Sequence, residues 1–338
     1  MVTISDVAAF AGVGAGTVSR VLNESPRVRP ETRARVLAAM AALDYRPNPL
    51  AQRLSRGRCQ TLGIVVPFFT HASAVERLRG VVAALDGSRY DLVLFNVETP
   101  LHRDEHFATL TRSGRADGLL VMSLRPPPGD LDRLIAAGMP IVLVDVRVEG
   151  VSAVVTDDVE GGRLATRHLL DLGHERIAFL GQDPANPFGF TASGDRERGY
   201  VEVLGSSGVD RDESLTRYGS HDRSVAQALA EELFSLDEPP TAVFASSDVQ
   251  ATGVLAAARS AGLRVPEDVS VVGYDDVEIS AYAGLTTVRQ PLFESGLLGT
   301  QILLEAIEGG AVPAVGERVL PVELVQRTST AAVHRSAA

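Results

Sequence analysis

The 338-residue sequence has no tryptophan, no lysine and a single cysteine, Cys59. One cysteine excludes an internal disulfide framework and suits a reducing compartment, so the thiol reads as a small filler in a linker. Without tryptophan the widest stacking surface is missing, which weakens any expectation of a purine-like ligand. No apolar run is long enough to span a bilayer, and no basic-then-apolar leader precedes the first helical pattern. A cytoplasmic protein with no membrane partner is therefore expected. The chain also lacks a phosphate loop of the right spacing, a nucleophile–base pair and a set of His and Cys metal ligands. Neither catalysis nor a cofactor is expected.

What the chain does have is an uneven distribution of charge. Its net charge is −11, and all 32 basic residues are arginine. Residues 1–60 carry nine arginines against four acids, a net +5, which leaves −16 on the remainder. A basic head on an acidic body points to a phosphate-contacting module joined to a body that DNA repels. Arginine also forks onto phosphate and guanine, as lysine cannot. Within the head, Thr3 to Asn23 holds two short helical patterns meeting at a glycine-bearing turn. Val18, Val21 and Leu22 recur at i, i+3 and i+4 and face inward. Gly16, Ser19, Arg20 and Asn23 fall opposite, with Ala15 beside them. This is the pattern of a helix-turn-helix, whose second helix fits the DNA major groove. An ordinary two-helix surface motif is the plainer alternative.

A third helix is expected from about Pro30 to Asp44, with Val36, Leu37, Met40 and Leu43 as its apolar stripe. Arg29 falls at its N-cap with no acceptor to offer; it reads either as a phosphate contact or as a simple surface arginine. Leu50 to Gly57 could form two turns, too short to be stable alone. That segment reads either as a linker or as a helix that folds on DNA with Leu54 as a minor-groove wedge. From Thr61 onward the pattern changes. Strand-like runs at Leu62–Val66, Leu92–Asn96, Gly118–Met122, Ile141–Val144, Ala153–Thr156, Ile177–Leu180, Ala242–Ala245 and Val269–Val272 alternate with helical stretches such as 73–86, 161–172, 222–236 and 248–261. Continuous apolar strands between helices mean parallel sheets covered on both faces. These are too many for one sheet, so two doubly wound subdomains are expected. Ligands of such sheets bind outside the carboxyl ends of the strands, where Asp145, Ser247-Asp248 and Tyr274-Asp275-Asp276 fall.

The pieces Asp6-Val7-Ala8, Ala11-Gly12-Val13, Thr17-Val18-Ser19-Arg20-Val21-Leu22-Asn23, Thr32-Arg33 and Tyr45-Arg46-Pro47-Asn48 follow one another in the head. Leu172-Gly173-His174-Glu175-Arg176, Arg196-Glu197-Arg198-Gly199-Tyr200, Val265-Pro266-Glu267-Asp268-Val269 and Leu285-Thr286-Thr287-Val288-Arg289-Gln290 follow in the body. In this order and spacing the chain resembles the lactose-repressor (LacI/GalR) family of bacterial transcription regulators over nearly its whole length.

The resemblance implies an α/β protein. A small all-α helix-turn-helix head (1–46) and a hinge helix with linker (47–60) precede a core (61–330) like the type I periplasmic binding proteins; a tail (331–338) follows. The core would bind the effector and dimerise, with an N-subdomain at about 61–157 and 288–316 and a C-subdomain at about 158–287 and 317–330. A homodimer on a palindromic double-stranded operator is implied, probing bases with Ala15, Gly16 and Arg20. Thr3, Thr17, Ser19, Asn23 and Tyr45 would contact phosphates, and Leu54 would be the wedge. Gly14 stands where the family usually has serine. That cap is lost, so specificity is expected to rest on Arg20 and on how readily the operator bends. No leucine heptads follow the last strand, so a tetramer-forming coiled coil is not expected.

For the effector, the resemblance implies a polar clamp of Asp145, Arg196, Ser247 and Asp275, with His221 where the family often has an aromatic. Such a set suits a sugar or sugar derivative, whose hydroxyls each residue can meet in a fixed direction. Ser73 lies in Ala72-Ser73-Ala74, where many relatives have proline and two aromatics; Phe68 or Phe69 would supply a floor instead. Taken singly, Asp275 also reads as a turn cap, Arg196 as a surface ion pair and His221 as a surface residue, while His174 reads as a structural helix-end histidine. Two rival functions remain. An exported solute-binding protein would need a leader and no basic head. An enzyme could use the doublets Asp157-Asp158 and Asp275-Asp276 for Mg²⁺ or acid–base work. On the regulator reading, effector binding closes the cleft, shifts the lobes of the dimer and alters whether the two hinge segments fold on DNA.

Overall fold

The computed structural model describes residues 2–23, 25–46, 59–113 and 115–333. The expected hinge helix, with Leu54, lies outside the described residues. The chain forms two compact units: residues 1–61 with 114–117, and the rest.

In the first unit, α1 (Ile4–Ala11), α2 (Ala15–Leu22) and α3 (Pro30–Ala42) surround one small core. Thr3 starts α1 through a capping box with Asp6, and Gly12 ends it in the left-handed conformation at φ 63°. Gly14 precedes α2 with no side-chain cap, and Arg29 precedes Pro30 likewise. Val7, Val18, Val21, Val36 and Ala39 are buried together, and Leu22, Leu43 and Tyr45 pack against them. The Arg33 guanidinium donates to the Ser25 carbonyl at 2.8 Å, tying α3 to the turn after α2. Cys59 donates from its backbone N–H and its thiol to Asp117 Oδ1 at 2.9 and 3.3 Å. Burial pushes that thiol's pKa up, so it is held protonated.

The second unit is two lobes of the same plan. The N-lobe sheet contains β1 (Thr61–Pro67), β2 (Asp91–Val97), β3 (Gly118–Met122), β4 (Ile141–Val144), β5 (Ser152–Thr156) and β11 (Glu317–Leu320). The C-lobe sheet contains β6 (Ile177–Gln182), β7 (Thr216–Gly219), β8 (Ala242–Ala245), β9 (Ser270–Asp275), β10 (Thr286–Arg289) and β12 (Glu323–Val325). Their strand orders match, β2-β1-β3-β4-β5-β11 and β7-β6-β8-β9-β10-β12, so each has its switch point beside its first strand. Helices α4 (Ala72–Ala84), α5 (Pro100–Ser113), α6 (Pro128–Ala136) and α12 (Leu292–Gly309) belong to the N-lobe. The C-lobe has α7 (Asp158–Asp171), α8 (Ala192–Ser206), α9 (Arg223–Phe234), α10 (Asp248–Ser260) and the short α11 (Glu278–Tyr282). The central strands β1, β3, β4, β8 and β9 are buried on both faces, which is why they read as mainly apolar runs and not as an alternation of apolar and polar residues.

The chain crosses between lobes three times: after β5, after β10 and after β11. The second and third crossings differ from the expected boundaries. Val288 and Arg289 belong to the C-lobe sheet, and Glu317–Leu320 lies beside β5 in the N-lobe sheet. The stretch 317–325 is split at Pro321, which has no N–H to continue a ladder, and its two halves, β11 and β12, serve different sheets.

Each lobe also has a helix pair in which a glycine of either helix lies against the backbone of the other. A Cβ on Gly80 of α4 would lie 2.0 Å from the Phe293 carbonyl, and one on Gly296 of α12 would lie 2.0 Å from the Arg77 carbonyl. In the C-lobe a Cβ on Gly162 of α7 would lie 2.0 Å from the Arg196 carbonyl, and one on Gly199 of α8 2.1 Å from that of Val159. Gly162→Ala should destabilise the protein by about 1–3 kcal/mol, because backbone has to move. Gly205→Ala, on the partner helix α8 with nothing within 4 Å, should instead stabilise it by roughly 0.5–1 kcal/mol. Urea midpoints of the two variants would show the opposite signs.

Candidate functional site

On α2, the buried Val18 and Val21 fix which face points outward. Ala15, Gly16 and Arg20 are exposed, and Thr17, Ser19 and Asn23 are half-buried beside them. The α2 face is therefore nearly free of bulk except for the Arg20 side chain, and a Cβ on Gly16 would meet only Arg20 Nη2, at 3.9 Å. Thr3 is exposed and bound to Asp6 through its capping box, Arg29 is exposed at the start of α3, and Tyr45 is half-buried against the head core.

In the body, the carboxyl ends of β1, β3, β4, β6 and β9 converge on a cavity of about 140 Å³ between the lobes. Four of the seven non-glycine residues with positive φ among the described residues line it: Phe68, Ser123, Asp145 and Asp275, at 45°, 48°, 66° and 118°. Each sits at or just after a strand end, so the backbone strain is concentrated where the chain turns into the cavity.

Two arginines dominate the cavity's chemistry. From the N-lobe, Arg77 Nη2 lies 3.0 Å from Asp145 Oδ1 and donates to Gln290 Oε1 at 3.1 Å. Ser123 donates to the other oxygen of Asp145 at 2.7 Å. From the C-lobe, Arg196 Nε donates to Asp158 Oδ1 at 2.8 Å and its Nη1 to the Ser246 carbonyl at 2.6 Å. Arg196 Nη1 also lies 3.9 Å from Asp275 Oδ1, and the guanidinium carbon sits 3.6 Å over the Tyr274 ring. Gln290, just past β10, joins the halves: it accepts from Arg77 and donates to Asp275. Burial works against the Arg196 charge, but Asp158, Tyr274 and Asp275 outweigh it and its pKa is raised. Burial raises the Asp275 carboxyl to about 6 despite Arg196, and raises Asp158 as well.

Of the residues expected from the sequence, the cavity brings together Ser73, Asp145, Arg196, His221 and Asp275. It does not include Phe69 or Ser247. The left-handed turn at Phe68 points that ring inward, whereas Phe69 is 39% exposed and lines a separate apolar depression with Val82 and Phe293. Ser247 is buried as the N-cap of α10, accepting from the Gln250 N–H at 3.2 Å. The carbonyl of its neighbour, Ser246, is what meets Arg196. Arg77, Asp158 and Gln290 were not foreseen. A signal for Arg77 existed: it is the one charged residue among the buried positions Ala74, Arg77, Gly80 and Val81 of α4. The doublets are engaged within the fold. Asp157 caps α7 and Asp158 meets Arg196; Asp276 meets Arg289 and Arg327 at 2.7 and 2.6 Å. His174 is buried, its nitrogens 3.0 Å from Thr241 Oγ1 and Ser270 Oγ.

A family profile described as bacterial regulatory proteins, lacI family, matches residues 3–48, and one described as periplasmic binding protein-like domain matches residues 166–330. The transcriptional regulator CelR of Thermobifida fusca is 36% identical, over 96% of both chains. The ribose operon repressor of Bacillus subtilis is 32% identical, over 98% of this chain and 99% of its own. Among solved structures, a CelR–cellobiose complex is 34% identical with a TM-score of 0.71, covering 97% of this chain and all of its own. The lac repressor dimer bound to operator and the anti-inducer ONPF is 29% identical with a TM-score of 0.82, covering 98% and 99%.

Behind the cavity floor, Asp248 is fully buried and accepts from the Val277 N–H at 3.0 Å and from the Ser280 and Thr287 hydroxyls. Burial, reinforced by Asp275, raises its pKa to about 7. The native state therefore holds this proton more tightly than the unfolded chain, and the stability it brings declines as pH rises from about 4 to 7. Asp248→Asn can keep the acceptor for Val277 without the charge. Its melting temperature relative to wild type should rise between pH 5 and pH 8; a pH-independent difference would contradict the assignment.

Proposed function

The chain belongs to the lacI family of bacterial regulatory proteins, and from that premise we propose that its operator affinity is set by a small neutral sugar held between the two lobes. The observation that carries this reading is the charge balance of the cavity. Arg77 and Arg196 are already engaged by Asp145, Asp158 and Asp275, so among the described residues lining the cavity no arginine is left over for a phosphate or carboxylate on the ligand. Fixed carboxylate and guanidinium groups instead suit hydroxyls that both donate and accept. The cavity of about 140 Å³ exceeds a single water's needs many times over and suits one sugar ring or a close derivative. The CelR structure that holds cellobiose and the similarity to a ribose operon repressor support a sugar without deciding which.

The head would deliver the response. Arg20 reads a guanine edge, and Thr3, Thr17, Ser19, Asn23, Arg29 and Tyr45 seat the backbone, each half-site taking one copy of α2. A homodimer fits the exposed apolar residues Val75 and Val82 on α4 and Ile279 and Tyr282 on α11, which a lone body would leave in water. On this reading the protein is a repressor acting in the cytoplasm by binding alone, with no covalent chemistry.

Two measurements test it. Melting temperature should rise in the presence of at least one sugar from a panel including ribose, glucose and cellobiose; that rise should vanish in Arg196→Met and Asp145→Asn. No shift with any neutral sugar, combined with a shift for a sugar phosphate, would overturn the charge-balance argument. On the operator selected from random duplexes, Arg20→Ala should cost about 1–3 kcal/mol of binding and relax preference at one base pair per half-site. A loss spread evenly over all sequences would remove Arg20 from base reading.

A further inference from the structure

Four rings run across the mouth of the cleft. Phe188 of the C-lobe meets Phe68 of the N-lobe edge-on at 5.5 Å between centroids. Phe68 stacks on His71 at 5.1 Å and 14°. His71 in turn stacks on His221 of the C-lobe at 5.2 Å and 29°. The column therefore bridges the lobes twice, once through phenylalanines and once through imidazoles. Its N-lobe half is stiff: the Phe68 N–H donates to the Val97 carbonyl at 3.2 Å and the His71 N–H to the Phe68 carbonyl at 2.8 Å. Its C-lobe half, His221, precedes Asp222, which caps α9 with bonds from the Ser224 and Val225 N–H groups.

We propose that His71 and His221 form a proton-sensitive clasp, which holds the lobes together while both imidazoles are neutral and releases them on acidification. The charged groups facing the pair decide the sign. His221 faces His71 and the Arg196 guanidinium, and the Asp222 carboxylate faces both histidines. Among the described residues Asp222 is the favourable charge acting on the pair, and it is exposed and already engaged by backbone N–H groups. Two imidazolium rings stacked face to face beside an arginine would repel across a partly dry gap. Consistently, burial first, then His71 and Arg196, lower His221 to about 4, and burial lowers His71 despite Asp222. With the lobes apart, each ring would titrate near its ordinary value of about 6.5. The open state then binds more protons between about pH 6.5 and 4. Closure is fully favoured above that window and lost as pH falls through it.

The consequence for the sugar, weaker retention at acid pH, rests on the reading that the effector lies between the lobes. The clasp itself can be tested without sugar or DNA. In full-length Cys59→Ala protein, spin labels at Thr109→Cys on α5 and Ala228→Cys on α9, both at exposed positions, report lobe separation by double electron–electron resonance. Between pH 7.5 and pH 5 the ratio of short to long distances should fall by about tenfold or more. In the His71→Phe/His221→Phe background, which keeps a ring at each place, that fall should disappear, because Asp275, the other cleft group that titrates in this range, favours the closed lobes when protonated. A labelled wild type whose distances do not move with pH, whether short or long, overturns the clasp. So does a doubly substituted protein that responds as the wild type does. Neither result bears on whether a sugar binds, which the melting experiments decide separately.

Discussion

A guanidinium withdrawn from water is tolerated only where acceptors stand ready around it, and most of this body serves that requirement twice over. Arg77 and Arg196 are each nearly buried, and each is met by a carboxylate at or beyond a strand end. The carboxylates cannot drift, because a strand ladder runs up to the residue that carries them. The arginines cannot drift either, because α4 and α8 are pressed against α12 and α7 through glycines that touch the arginines' own carbonyls. Removing either partner would leave a buried charge unmatched, which is far costlier than the pair is valuable. The arrangement is thus better understood as a device for fixing direction than as a source of stability.

The two lobes solve this problem in the same way because they share a topology, yet the solutions are not identical. The N-lobe pair is completed by Ser123 and Gln290, both neutral. The C-lobe adds a second carboxylate, Asp158, and an aromatic face, Tyr274. The C-lobe therefore carries the larger electrostatic load, and burial pushes its Asp158 and Asp275 carboxyls toward neutrality. A ligand spanning the cavity would meet an ion pair completed by neutral groups on one side and a partly protonatable pair of carboxyls on the other.

Much of this architecture is legible in the sequence, for reasons that differ by element. The central strands announce themselves because burial on both faces demands unbroken apolar runs. The head is legible because its signals, from Thr3 to Asn23, are local. The edge strand β7, Thr-Arg-Tyr-Gly, is only half-buried and carries no such run. The split at Pro321 depends on which sheet has room beside it, a fact about distant chain. At the cavity, residue type was easier to read than direction. Phe68 and Phe69 differ by a left-handed turn, and Ser246 and Ser247 by whether a carbonyl or a hydroxyl is used. Arg77 was hidden among apolar neighbours, although a charge on a helix's inward stripe is itself a clue.

The return of the chain to its first lobe has an effect on how the protein is made. The helix that seals Arg77, α12, and the strand β11 that finishes the first sheet both emerge after five of the six strands of the C-lobe sheet. A nascent N-lobe therefore leaves the ribosome with the inward face of α4 uncovered and an arginine that has neither Gln290 nor its tight helix neighbour. It stays incomplete until synthesis is nearly finished, so the two halves mature together at the end rather than one after the other.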